Sequence, residues 1–199
     1  MKSIRLLATM VATMVVCATS ALATTLSATF NVDNGFFAYI STDDGVQGTE
    51  FLSGESWPTS FSGSVSLTAG VTNYLHVRAY DTGGAAAFMG TFSLSDTGFA
   101  FGNGTQSLVT GEGYFQQSTT GWGSYGAVTD HGGHGSILPD WFRPAQADAA
   151  RFIWSADNAA DNEVYFTAAI TAAAVPVPAS LPLLIGALGV FGLLRRRSR

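Results

Sequence analysis

The sequence predicts an all-β sandwich of about 150 residues, set between a cleavable export signal and a membrane-spanning tail. Three observations predict it. Short runs of alternating apolar and polar residues recur through the middle of the chain, separated by turns rich in Gly, Asn and Asp. No stretch from Thr24 to Ala174 carries the apolar period of an amphipathic helix. The long apolar runs lie at the two ends.

The first element, residues 1–23, reads as a signal peptide. Lys2 and Arg5 supply a basic start, Leu6 to Ala18 is apolar apart from Thr9 and Thr13, and Ala21-Leu22-Ala23 is a small-x-small cleavage motif. Cleavage after Ala23 makes Thr24 the first mature residue. The apolar run is short for a span of about 20 residues, which argues against an anchor. Cys17 follows the bulky Val16, which argues against a lipid-attachment site. Cys17 is the only cysteine in the chain and leaves with the signal, so the mature domain must be stable without disulfides.

The strands of the exported domain, residues 24–174, follow in order. Leu26, Ala28, Phe30 and Val32 alternate with polar or small residues. Phe36 to Thr42 is aromatic and β-branched. Phe61, Val65 and Leu67 share one parity. Leu75, Val77 and Ala79 alternate against Tyr74, His76, Arg78 and Tyr80, which places His76 at the surface or rim. Phe88, Gly90, Phe92 and Leu94 share a face. Arg151 to Ser155 and Glu163 to Thr171 complete the set, with Trp154 expected in the core. Tyr114 to Pro144 breaks this rhythm and is expected to form long loops over one end of the sandwich. Ala145 to Ala150 is expected to form one short helical turn.

The last element, residues 175–199, has three parts. Val175-Pro176-Val177-Pro178-Ala179-Ser180 precedes an apolar segment, 181–194, and a basic end of Arg195, Arg196, Arg197, Ser198 and Arg199. Val175 to Leu194 is long enough to cross a bilayer as a helix of about 30 Å. Its prolines fall at the front, where they initiate a helix. The arginines keep the tail cytoplasmic and the domain outside. This pattern resembles the PEP-CTERM sorting signals of Gram-negative bacteria, in the variant with a Val-Pro-Leu-Pro-Ala core, with Val177 here in place of Leu. The resemblance implies an exosortase-type enzyme that recognises the proline motif and processes the tail. It further implies passage through the translocon and signal peptidase, a transient stay in the inner membrane, and delivery to the cell surface or extracellular matrix, with exopolysaccharide as a possible partner. A plain tail anchor is the alternative.

Residues 31–95 resemble the jelly-roll modules grouped as galactose-binding-like. The likeness rests on Asn31-Val32-Asp33-Asn34 before the strand Phe36 to Ile40, on Trp57 in a crossover, on Tyr74 to Asp81 after Ala69-Gly70, and on Gly83-Gly84 before Phe88-Met89-Gly90. It implies a jelly-roll-like sandwich and says little about ligand, because such folds host many functions.

Charge excludes one class of partner. Between the two ends lie three arginines and all 14 carboxylates, a net charge of −11, whereas nucleic acid needs clustered Lys and Arg. An enzyme is not expected. No Gly-x-Ser-x-Gly elbow is present, and the mature chain has no Cys or Lys. Glu50, Glu55, Glu112 and Glu163 offer only the carboxylate pairs of any acidic domain. His131 and His134, with Asp130 and Asp140 nearby, have zinc-ligand chemistry, but the intervening glycines do not fix a geometry; a solvated loop is the alternative. No cofactor is required. Calcium is a candidate through oxygen ligands in the acidic turns, Asp33, Asp43, Asp44, Asp157 and Asp161, against ordinary Asp turn chemistry. Trp122 and Trp141 stand in Gly- and Pro-rich loops and are candidate sugar contacts, against a role in clamping loops to the sandwich. Two functions follow. One is a non-enzymatic surface or matrix protein; the other is a secreted carbohydrate-binding module assisted by calcium.

Overall fold

The computed structural model describes residues 23–174 apart from 112, 138–140, 142 and 144. The signal peptide up to Leu22, the sorting motif, the apolar segment and the basic end lie outside the described residues. Among the described residues, no helix is long and apolar enough to cross a membrane.

Among the described residues, thirteen strands form two antiparallel sheets. In chain order they are β1 (Thr25–Asp33), β2 (Gly35–Ser41), β3 (Thr49–Gly54), β4 (Phe61–Ser66), β5 (Asn73–Tyr80), β6 (Ala87–Leu94) and β7 (Phe99–Phe101). They continue with β8 (Ser107–Val109), β9 (Gln116–Ser118), β10 (Gly126–Ala127), β11 (Thr129–Asp130), β12 (Ile153–Trp154) and β13 (Glu163–Ala172). The first sheet runs β11-β12-β6-β1-β4, with β8 also on β6. The second runs β10-β9-β13-β5-β2-β3, with β7 also on β13. All seven runs expected to be strands contain one.

Alternation decides the core. Leu26, Ala28, Phe30 and Val32 of β1 point inward and meet Leu75, Val77 and Ala79 of β5 within one cluster of buried side chains. Phe88 joins the layers. Its ring lies 5.8 Å from Phe30 in the first sheet and 5.2 Å from Phe166 in the second. Trp154 is fully buried in the same cluster, and its indole N–H donates to Asp161 O at 2.8 Å. Two glycines are needed where they stand. A Cβ on Gly90 would come within 2.6 Å of the Phe92 ring, and Gly48 turns the β2–β3 loop at φ +84 with a Cβ position 2.3 Å from Ile40 O.

Three expectations need correcting. Tyr114 to Pro144 is not loop throughout, because β9, β10 and β11 lie within it and extend both sheets. They are two or three residues long, too short for alternation to reveal. Ala145 to Ala150 forms no helical turn. It holds two separate reverse turns, Gln146 N–H to Arg143 O at 2.9 Å and Ala150 N–H to Ala147 O at 2.9 Å. The first sheet claims the donors between them: Ala147 N–H bonds Thr91 Oγ1, and the Gln146 amide bonds Thr29 O and Asn31 Oδ1. The loop thus covers the outer face of that sheet, not an end of the sandwich. The Arg151 to Ser155 run keeps only two ladder residues, since Arg151 N–H and Phe152 N–H bond the irregular Thr110 O and Gly132 O.

Both ends of the domain close on one turn, Ser95–Gly98, between β6 and β7. Thr24, 5% exposed, donates its hydroxyl to Asp96 at 2.7 Å. Thr25 and Ser95 exchange bonds of 2.9 and 3.0 Å, and Ala173 N–H reaches Gly98 O at 2.8 Å. The first and last strands therefore leave the sandwich at the same pole.

Candidate functional site

The second sheet presents a polar, aromatic outer face. The register sets Tyr39, His76 and Thr167 side by side across β2, β5 and β13, with Phe37, Arg78 and Tyr165 in the next row. Two loops fold over this face, the β2–β3 loop at Asp44 to Gln47 and the β9–β10 loop at Trp122 to Tyr125. A Cβ on Gly123 would lie 3.4 Å from Gly45 Cα, so the loops touch above the sheet.

His76 lies beneath both loops. It is 0% exposed, which corrects its expected place at the rim. Alternation identifies the face a side chain points to, not the loops that later cover it. The Trp122 indole stacks on its ring at 4.6 Å and 17°. Tyr165 and Tyr39 meet the indole edge-on at 4.8 and 6.1 Å. Asp44 Oδ1 sits 3.1 Å from His76 Nε2 and accepts the Thr167 hydroxyl at 2.6 Å. Tyr125 donates its hydroxyl to Asp44 O at 2.8 Å. Burial pushes the Tyr125 phenol up to about 12, so it remains a donor at neutral pH. At the neighbouring row, Arg78 pairs with Glu163 at 2.8 Å, and Tyr165 donates to the same carboxylate. The Arg78 hydrogen bond holds the Glu163 carboxyl below its usual range.

The structure thus unites Asp44, His76 and Trp122, three residues that the sequence offered for three different purposes, and adds Tyr125 and Thr167. No motif marked the last two, which arrive from distant segments. Trp122 is half-buried, with one face on His76, and retains area toward solvent.

Trp141 has a different place. At 4% exposure its ring is not offered to solvent. It stacks on Trp57 at 5.8 Å and meets Phe152 at 5.6 Å, with the Arg143 guanidinium 4.6 Å over Trp57. This cluster fastens the 131–150 loop to the outer face of the first sheet.

The acidic turns do not converge on one centre. Asp43 accepts Gly45 N–H at 2.9 Å, and Asp157 accepts Ala159 and Ala160 N–H at 3.2 and 3.1 Å, both as local turn bonds. Asp44 belongs to the His76 cluster. Among the described residues no three His, Cys, Asp or Glu side chains gather as a metal cluster. His131 bonds Ser155 O at 2.9 Å, His134 Nδ1 accepts Arg143 N–H at 3.1 Å, and Asp130 pairs with Arg151 at 2.8 Å. Asp140 lies outside the described residues.

Asp33 carries a pH dependence. Burial, then the charge of Asp81, raises its carboxyl from an ordinary 3.8 to about 6, against a smaller lowering by Arg143. The folded protein therefore binds this proton more tightly than the unfolded chain. The stabilisation is complete below about 3.8 and is lost as pH rises through about 6. In chelator, Asp33→Asn is expected to match the wild-type melting temperature at pH 4 and to exceed it increasingly toward pH 7. Parallel curves would show that Asp33 is not the group responsible.

No protein-family model, curated protein or solved structure matches this chain.

Proposed function

We propose that the chain is a non-enzymatic exported protein of the cell surface or extracellular matrix. It is delivered by residues 1–23 and released from the membrane through an exosortase-type signal at residues 175–199. The sandwich between them is of jelly-roll type in this reading. The observation that supports it best is the shared pole of the two termini, since Thr24 and Ala173 both bond the Ser95–Gly98 turn. Termini of domains are often close. Here the closeness has a use: two hydrophobic ends in one membrane can hold the domain by a single pole while it folds. In the sequence the proline motif begins at Val175, two residues after Ala173, which bonds that turn.

The test separates the two parts of the tail. Proline lacks the backbone donor of a helix and presents an extended segment to a processing enzyme. Pro176→Ala with Pro178→Ala is expected to leave the protein anchored and full length. Each arginine costs roughly 2.5–3.5 kcal/mol at the bilayer centre. Replacing Arg195, Arg196 and Arg197 with Ser is expected to let the span slip through, releasing unprocessed chain. Fractionation with blots against the domain reads both outcomes. If both variants still yield the shortened surface form of the wild type, the tail is not a sorting signal.

A carbohydrate-binding module is the second reading, favoured by Trp122 lying half-buried across the second sheet. A glycan array on the exported protein tests it. Binding that disappears in Trp122→Ala would establish it, and an array without binders would remove it.

A further inference from the structure

Each sheet ends in two edge strands, and the four edges differ. An edge offers unpaired N–H and C=O groups to any further strand, and proteins blunt that offer with charge, bulges or short length. Three of these edges are blunted. β10 and β11 are two residues long, and β11 carries Asp130. β3 contains the exposed Glu50, is followed by the exposed Glu55, and is bulged against β2 at Ala38 and Tyr39. β4 has none of these features. It is six residues long, Phe61-Ser62-Gly63-Ser64-Val65-Ser66, and pairs with β1 in unbroken register, from Ser66 on Thr25 to Phe61 on Phe30. Among the described residues, no strand pairs with its other side.

The ladder decides which groups stand unpaired. Leu67 N–H donates to Thr24 O at 2.8 Å. In an antiparallel pair, alternate residues turn both backbone groups to the partner. The backbone groups of Phe61, Gly63 and Val65 therefore face β1, and those of Ser62, Ser64 and Ser66 face the free edge. The side chains of these three serines are exposed on the outer face of the first sheet.

Charge and apolar surface single out the same edge. The domain carries three arginines and 14 carboxylates, a net charge of −11. Yet β4, β6 and β8 hold no ionisable side chain, and β1 holds only Asp33, beyond the stretch that pairs with β4. Their outer face is a field of short hydroxyls, with Ser64, Ser27, Ser93 and Ser107 in one row. A strongly anionic chain can meet a second copy here without setting carboxylates against each other. Behind the edge, Phe61 and Val65 of β4 and Phe51 and Leu52 of β3 pack on the core but are only half-buried. Leu52 lies over Gly63, where a Cβ would come within 3.2 Å of it.

We infer that two copies of this chain pair through β4, antiparallel about a two-fold axis at Ser64. The segment is self-complementary in that register. Ser64 stands opposite itself, Ser62 opposite Ser66 of the other copy, and Gly63 opposite Val65, so no pair is crowded or like-charged. Such a contact is isologous and closes as a dimer. Ser62, Ser64 and Ser66 gain the backbone bonds they lack, and Phe61 and Val65 lose contact with water. The two first sheets become one sheet that runs through both domains. Six residues a side make a small interface, so the dimer belongs to the weak, concentration-dependent class. This pairing does not depend on how the chain is sorted or on a glycan at Trp122.

Light scattering on the full-length chain in detergent provides the test. The wild type is expected to have the mass of a dimer at high concentration and to dissociate on dilution. Ser64→Pro removes a donor that β1 does not use, so it is expected to fold and to stay monomeric. Ser64→Asp and Ser64→Lys each set like charges face to face and are expected to be monomeric, whereas an equal mixture of the two recovers the dimer. Ser93→Asp changes the same outer face away from the edge and is expected to remain dimeric. Should Ser64→Pro fail to fold, the Asp and Lys variants decide. A wild type that is monomeric at every concentration overturns the pairing. A dimer that survives Ser64→Asp overturns it too, because the contact then lies elsewhere in the chain. So does a dimer lost in Ser93→Asp as well, because the faces then stack and the edges do not join.

Discussion

Phe88→Ala is expected to destabilise the domain by about 3–5 kcal/mol and to lower its melting temperature by on the order of 10 °C. Phe88 lies on β6 but belongs to both layers. Its ring meets Phe30 and Phe92 of the first sheet, Phe166 of the second, and Phe115 in the segment leading into β9. Truncation opens a cavity bounded by four rigid rings, held by strands that cannot close on it without breaking ladder pairs on both sides of β6. Phe37→Ala provides the contrast. That ring lies on the outer face of the second sheet against Tyr80 and Arg78, and is only partly buried. Its loss is expected to cost under about a third as much. Thermal melts of both variants check the pair. Equal losses would mean that the two layers are not joined through Phe88.

Asp44→Ala is expected to destabilise by roughly 2–4 kcal/mol, whereas Asp44→Asn remains close to wild type. The alanine removes the acceptor shared by the Thr167 hydroxyl and His76 Nε2, two groups that have no access to water. Asparagine keeps an oxygen at the same position. The fluorescence of Trp122 provides a second readout. Once Asp44 no longer holds the β2–β3 loop to His76, the indole loses its covered face and its emission moves to the red. If the alanine and asparagine variants melt together, the cluster contributes no hydrogen-bond energy and Trp122 packing alone secures the loops. The experiment bears on function as well. A sugar platform built on Trp122 would need this cluster intact, so Asp44→Ala would weaken glycan binding without touching the exposed ring surface.

Much of the fold was legible because burial leaves a period of two. β1 reads inward at Leu26, Ala28, Phe30 and Val32, and β5 at Leu75, Val77 and Ala79; all of these are buried in the core. The proposed reading of the two ends rests on a different kind of information. Their information is local charge and apolar length, which need no tertiary context to be read. The short strands β7 to β11 were not legible, since two or three residues cannot display a period. β3 was hidden as well, because as an edge strand with mostly exposed or half-buried positions it lacks an apolar face.

The candidate sites divide along the same line. Asp33, Asp44 and Trp122 could be picked out by residue type and turn context, but their partners could not. His76 looks like a rim residue until two loops, about eighty residues apart in sequence, close above it. For Trp141 the residue type left a sugar contact and a loop clamp both open, and its packing on Trp57 beneath Arg143 decides for the clamp.

By itself the sequence determined the sandwich class and the inward-facing residues of the long strands. Each depends on a pattern confined to a few neighbouring residues. Tertiary structure alone decided which pole receives both termini and which loops cover the second sheet. Those outcomes depend on pairings between strands and loops far apart in the chain, where a hydrogen bond such as Ala173 N–H to Gly98 O forms only after the layers have packed.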